Sequence, residues 1–340
     1  VRLKGIAYET GFVRNGHISR QHFDPATVRR ELEIISDDLH CNAVHLVGGD
    51  PQRLELAVQI AAELGLVVWF SPYPLELSRE EMLALFADCA VRAERIRRQG
   101  AEVVFVTGVE MSVMNPGFVE GNNTAERVAA LIGRPGDASQ RFADVSARLN
   151  EFFAEAVAVV RARFGGPVSY ACIPFERIDW SLFDIVAVEM MRTAEVAERF
   201  RDGVRQLVAQ PKPVVMTGFG AATWKGAGDV APRSMEIVHV DEYEQPIALN
   251  GSYIRDEAGQ AAYVREMLEI FDEAGAEGAF IYLFALESYP HRPDDPQRDL
   301  DLASLSMVKV LENGRGERYP DMAWEPKAVF DAVAEYYGKS

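Results

Sequence analysis

Eight short runs rich in β-branched and aromatic residues recur along this chain, and segments with helical apolar spacing separate them. They lie near residues 3–8, 43–48, 66–70, 103–109, 168–173, 184–190, 213–218 and 279–284. The runs are close to continuously apolar, as in strands buried on both faces, and the first connections are short enough to favour parallel neighbours. Strands and helices alternating in this way predict eight parallel strands closed into one (β/α)8 TIM barrel, α/β in class, with residues 1–340 forming a single domain of catalytic type. A doubly wound open sheet is the alternative.

The helices carry their own start and stop signals. Asp24 as cap and Pro25 at the first helical position open a helix at about Ala26–Leu39. The spacing of Leu54, Ala57, Val58, Ile60 and Ala61 predicts a helix from Pro51 to Leu64, stopped by Gly65. Ser78 with Glu81 three residues on reads as a capping box for a helix to about Gln99. Further helices are expected at Phe142–Phe164, Thr193–Ala209, Asp256–Ala274 and about Glu325–Tyr337. Two stretches break the rhythm. Met111–Gln140 contains Asn115-Pro116-Gly117, Gly121-Asn122-Asn123 and Gly133-Arg134-Pro135-Gly136, with room for a short helix at Thr124–Ile132. Ala221–Arg255 carries Trp224, Lys225, His239, Tyr243 and Tyr253. Both follow strands four and seven, so both are expected as long loop insertions on the mouth of the barrel, narrowing it to a pocket.

Charge excludes more partners than it names. With 52 acidic against 35 basic residues the chain carries a formal −17, which argues against nucleic acid and against anionic membranes. No apolar run reaches the roughly 18 residues of a membrane span. Cys41, Cys89 and Cys172 are far apart and lack metal or CxxC spacing, so each is expected as a small buried hydrophobe in a reducing compartment. The first residues, VRLKGIAYETG, show neither a basic nor an apolar leader region, and a cytoplasmic location is expected. His45, His239 and His291 have no metal-binding spacing, and the glycines at Gly48-Gly49 and Gly218–Gly220 fit no phosphate loop or dinucleotide fingerprint. Neither a metal nor a cofactor is expected, and the sequence leaves the oligomeric state open.

Chemistry in such a barrel is done at the C-terminal ends of the strands. The run Val103–Val109 delivers Glu110 there, and Phe183–Met191 holds one ionisable residue in its interior, Glu189. A carboxylate inside an apolar run is costly unless it faces a polar site. Glu287 follows the eighth run and Glu9 the first. Cleaving a glycosidic bond takes one carboxylic acid to protonate the leaving oxygen and a second carboxylate as nucleophile or base, and Glu110 with Glu189 or Glu287 supplies such a pair. Glu9, His45, Tyr73, Tyr170, Trp224 and Tyr289 are the candidates for binding a small-molecule or sugar substrate, since sugar rings stack on aromatic faces.

With the strands placed, the sequence resembles the clan of retaining glycoside hydrolases built on (β/α)8 barrels. That clan puts Asn-Glu at the end of strand four, its Glu being the acid/base, and a nucleophilic Glu at the end of strand seven. Thr107–Glu110, TGVE, stands where the Asn-Glu would be, and Lys212–Gly220, KPVVMTGFG, is similar to the strand-seven phrase. The departures are Val109 for the Asn, Gly218 for the nucleophile, Glu189-Met190 for an Asn-Tyr pair on strand six, and His45 for a strand-two Arg. The resemblance implies a divergent, glycoside-hydrolase-like enzyme with a rearranged carboxylate pair. A non-hydrolytic carbohydrate-binding relative, or a lyase or isomerase on the same barrel, are the alternatives.

Overall fold

Eight parallel strands close on themselves in the computed structural model, which describes residues 1–133 and 136–339. They are β1 (Leu3–Glu9), β2 (Ala43–Gly48), β3 (Val67–Pro72), β4 (Val103–Val109), β5 (Val168–Cys172), β6 (Val186–Glu189), β7 (Val214–Gly218) and β8 (Gly278–Ile281). The ring is sealed where β1 pairs on one side with β2 and on the other with β8, so that Ile6 lies opposite both Val44 and Ile281. This is the (β/α)8 barrel expected from the rhythm of the sequence. Arg134 and Pro135, part of a predicted turn, lie outside the described residues.

Side-chain alternation sorts each strand into two sets. Leu3, Ala43, Trp69, Val104, Val106, Ala171, Ala187, Val215 and Phe280 fill the barrel interior. Their neighbours in sequence, among them Tyr8, Val44, Phe70, Phe105, Tyr170 and Val188, pack outward against the helices. The rings of Trp69 and Phe280 lie 5.1 Å apart at the centre, with the His45 ring 5.7 Å from Phe280. Gly5 makes room for this cluster, because a Cβ there would come within 2.3 Å of Phe280 Cδ1.

The helix signals are met by hydrogen bonds. Asp24 accepts from the Thr27 N–H at the start of the helix Pro25–Asp37, and Ser78 and Glu81 form both halves of the capping box on Arg79–Arg98. The long helix expected from Phe142 begins earlier, at Ala138, where Asp137 caps it by accepting from the Gln140 N–H. The eighth strand stops at Ile281, short of the apolar run that continues to Phe284, and the Tyr282–Leu283 peptide is cis. After it comes a segment that the sequence did not single out, with a 3-10 turn at Leu300–Ala303 and a hairpin pairing Val308–Val310 with Trp324–Pro326. The stretch after β7 contains 3-10 turns and a hairpin of Val238–Val240 with Pro246–Leu249. Cys41, Cys89 and Cys172 are all buried and free. Among the described residues no helix is long and apolar enough to cross a membrane.

Because Trp69 and His45 wall Phe280 in, its ring has little space to yield to a new methyl group at residue 5. Gly5→Ala is therefore expected to cost about 1–3 kcal/mol in a urea melt, the usual range for overpacking a core. An unchanged midpoint would show that the central ring cluster yields freely.

Candidate active site

The backbone places Glu110 by two local irregularities. The pairing of β4 with β5 shifts register between Val106 and Val109, a bulge in which Gly108 takes φ +89°. Bulges of this kind re-aim the chain at the rim of a barrel. Glu110 follows in the left-handed region at φ 47°, a conformation that L residues adopt only when their surroundings impose it. Those surroundings are explicit. The Glu110 N–H donates to the Ala171 carbonyl (3.0 Å), the Met111 N–H to the Tyr170 hydroxyl (2.9 Å), and the Ser112 N–H to Glu176 Oε1 (3.1 Å). The Tyr170 hydroxyl in turn donates to Glu176 Oε2 (2.6 Å), which also accepts from the Ile173 N–H. Burial pushes the Glu176 carboxyl up to about 7, against the pull of these donors.

Glu189 reaches the same point from β6. Its register partner on β7 is Gly218, which has no side chain to hold it off. A Cβ built on Gly218 would lie 2.9 Å from Glu189 Cδ and 2.9 Å from its Oε1. The strand-six carboxyl thus occupies the space where a strand-seven side chain would begin. From there it is hydrogen-bonded to Glu110. Burial raises both carboxyls, and the Glu110 charge drives Glu189 further up, the behaviour of two like acids that compete for one proton.

The pair borders a cavity of about 200 Å³ at the end of the barrel axis. His45, Tyr73, Thr217 and Tyr282 line it, together with Met114 and, from the stretch after β7, Ala231, Pro232 and Met235. Burial depresses His45 to about 4, so its ring enters the cavity neutral. Burial raises Tyr73 and Tyr282 well above the ordinary phenol range, and the charges of Glu110 and Glu189 raise them further. All of these hydroxyls keep their protons and can donate.

Glu9 and Glu287 belong to an adjoining ionic cluster and do not line the cavity. Glu9 is 1% exposed, accepts from Ser19 Oγ (2.9 Å), and is raised by burial. Arg20 lies beside both residues, with Nε 3.9 Å from Glu287 Oε1 and Nη1 donating to the Glu9 backbone carbonyl (3.1 Å), while Nη2 pairs with buried Glu31 (2.9 Å). Burial holds Glu287 up at about 7 although Arg20 pulls it down.

Of the sequence candidates, the structure brings Glu110, Glu189, His45 and Tyr73 to one cavity. Tyr170 is a correction: it lies one residue out of phase with inward-facing Ala171, so its ring packs among the outer helices and its hydroxyl serves the Glu110 turn. Trp224 packs on Tyr253 and donates its indole N–H to the Ser234 carbonyl (2.8 Å), away from the pair. Tyr289 stands behind Tyr282 and does not reach the cavity. Sequence reasoning missed Tyr282, Thr217, Arg20, Glu31 and Glu176. Alternation held the signal for two of them, since Tyr282 follows inward Phe280 by two and Thr217 follows inward Val215 by two. Among the described residues no group of three or more His, Cys, Asp or Glu side chains is arranged to hold a metal ion.

No protein-family model matches the sequence, and no curated protein is similar to it. Solved structures are similar in fold. A GH113 β-1,4-mannanase aligns over 99% of this chain and 99% of its own, with a TM-score of 0.64 at 13% identity. The GH113 β-mannanase AaManA from Alicyclobacillus acidocaldarius aligns over 99% and 97%, with a TM-score of 0.59 at 15% identity. A β-glucuronidase from Ruminococcus gnavus aligns over 99% of this chain but 49% of its own, with a TM-score of 0.55 at 14% identity. At such identities the likeness is one of architecture: this chain has the (β/α)8 barrel that these glycoside hydrolases also have.

Proposed function

We propose that this protein is a glycoside-hydrolase-like enzyme acting on a small glycoside, with Glu110 as general acid/base and Glu189 as its carboxylate partner. The observation that carries the reading is the Glu189 carboxyl lying against Gly218 and hydrogen-bonded to Glu110. Two acidic side chains from different strands meet in a cavity large enough for a sugar ring, and one retained proton makes them an acid and a base at once. The fold neighbours named as mannanases and glucuronidases make β-mannosides and β-glucuronides the first substrates to try.

In this mechanism the glycosidic oxygen enters between the carboxyls and parts them. Retaining pairs work with their carboxyls about 5–5.5 Å apart and inverting pairs about 6.5–9.5 Å apart. The protonated member gives its proton to the oxygen as the bond to the anomeric carbon breaks. The ionised member then either bonds that carbon or takes a proton from the attacking water, and the anomeric configuration of the product tells the two apart. Glu287, held by Arg20 outside the cavity, has less claim to the partner's role.

Three outcomes are expected. On a cleaved aryl glycoside, Glu110→Gln should lower kcat by about 10² to 10⁴ while thermal unfolding stays cooperative, the usual contribution of general acid catalysis. Full activity in that variant would remove Glu110 from the mechanism.

The pH profile of kcat/KM should be a bell. Activity rises as the doubly protonated pair loses its first proton and falls as it loses the second. Burial raises both groups, so both limbs lie above the ordinary glutamate value of about 4.3. Glu287 titrates in the same window but outside the cavity, and Glu287→Gln should keep both limbs. A plateau extending to pH 4 would mean that the buried pair does not control the reaction.

Gly218→Ala places a methyl carbon within 2.9 Å of the Glu189 carboxyl and should turn it away from Glu110. Turnover should drop at least tenfold with little change in Tm. Wild-type turnover in a folded Gly218→Ala protein would argue that Glu189 acts elsewhere or not at all.

A further inference from the structure

Beyond the carboxyl pair the cavity opens into a second, larger space of about 740 Å³. Glu110, Glu189, Met191 and Pro232 border both spaces, so the second begins where a glycosidic oxygen would receive its proton. The two differ in chemistry. The smaller one is ringed by His45, Thr217, Tyr73 and Tyr282. The larger is walled by Ile173 and Phe175 after β5, Met190 and Met191 after β6, and Val196 and Phe200 at the start of the helix Ala197–Val208. Phe175 is 41% exposed and packs on the Phe142 ring at 5.4 Å.

A subsite for another sugar needs hydrogen-bonding side chains along its floor; here Thr193, Arg199, Asp202 and Gln206 are the polar members besides the carboxyl pair, and the larger share of the wall is thioethers, rings and aliphatic chains. Methionines adapt to flat apolar surfaces, and a space of this size suits a drug-sized ring system. We infer that this groove seats the apolar leaving group of the substrate, so that the enzyme acts on a glycoside of an aromatic or fused-ring alcohol and not on a sugar polymer. The inference rests on the proposed role of the Glu110–Glu189 pair as the place where the bond is broken. In the reaction the bond from the anomeric carbon to the aglycone oxygen breaks, that oxygen takes the proton of the carboxyl pair, and water supplies the hydroxyl of the released sugar and restores the proton. The freed alcohol leaves from the groove.

Gly203 offers a clean test, since it lines the groove from the helix and a Cβ there meets no atom within 4 Å. Gly203→Trp fills the space, and replacing a helical glycine does not sacrifice helix propensity. Phe175→Glu puts a charge on the same wall at an already exposed position. The probe is free 4-methylumbelliferone, titrated calorimetrically into wild type and both variants. Wild type should bind it, and a folded Gly203→Trp or Phe175→Glu protein should bind at least tenfold more weakly. Equal binding in wild type and both folded variants, or no binding to wild type, overturns the inference. So does cleavage of mannobiose in preference to 4-methylumbelliferyl β-mannoside, which would make the groove a sugar subsite. If the aglycone binds in the groove but wild type cleaves no aryl glycoside, the glycosidase reading falls and the apolar site stands.

Discussion

Two buried carboxyl groups in contact can share one proton but cannot both be charged, and the upper end of this barrel is arranged around that restriction. Neither side chain could rest there on its own account. Glu110 is held in a left-handed turn by bonds from β5 and its loop, and Glu189 needs a neighbour without a side chain, which Gly218 supplies. The contact therefore depends on residues from four consecutive strand ends, and a change in any of them alters the distance between the two oxygens.

The Glu110 turn shows how the cost is met. Glu176 accepts bonds from two backbone N–H groups and from the Tyr170 hydroxyl, and Tyr170 accepts from the Met111 N–H. Each backbone N–H from Glu110 to Met114 finds an acceptor, which is worth about 1–3 kcal/mol for each group that would be left unsatisfied. The same reasoning covers Arg20, which is 2% exposed and surrounded by Glu31, Tyr8, Glu9 and Glu287. A guanidinium buried in that company fixes the loop after β1 against the barrel through the Glu9 carbonyl and the Glu31 carboxylate, with Glu287 beside it.

The fold was legible in the sequence because barrel strands are buried on both faces and read as continuous apolar runs, with Ser78–Glu81 and Asp24 marking the helix starts between them. The site was legible only in part. Glu110 and Glu189 stand out because a carboxylate in an apolar run has few reasons to be there. Tyr170 and Tyr282 are both tyrosines near strand ends, and composition cannot separate them; only the phase of alternation sends one outward and the other into the cavity. Arg20, in a polar loop, and Glu176, just past β5, meet their partners through tertiary contacts, for which no local pattern exists.

Glu189 reaches the end of the strand beside its own. Glu189 and Gly218 are paired in register, and adjacent strands lie about 4.8 Å apart, a distance that a glutamate side chain spans without disturbing the backbone. Glu287 instead lies beside Arg20, whose direct partners are Glu31, Tyr8 and the Glu9 carbonyl. The contact of the two carboxyls is thus a consequence of Gly218, whose missing side chain leaves the room that Glu189 occupies beside Glu110.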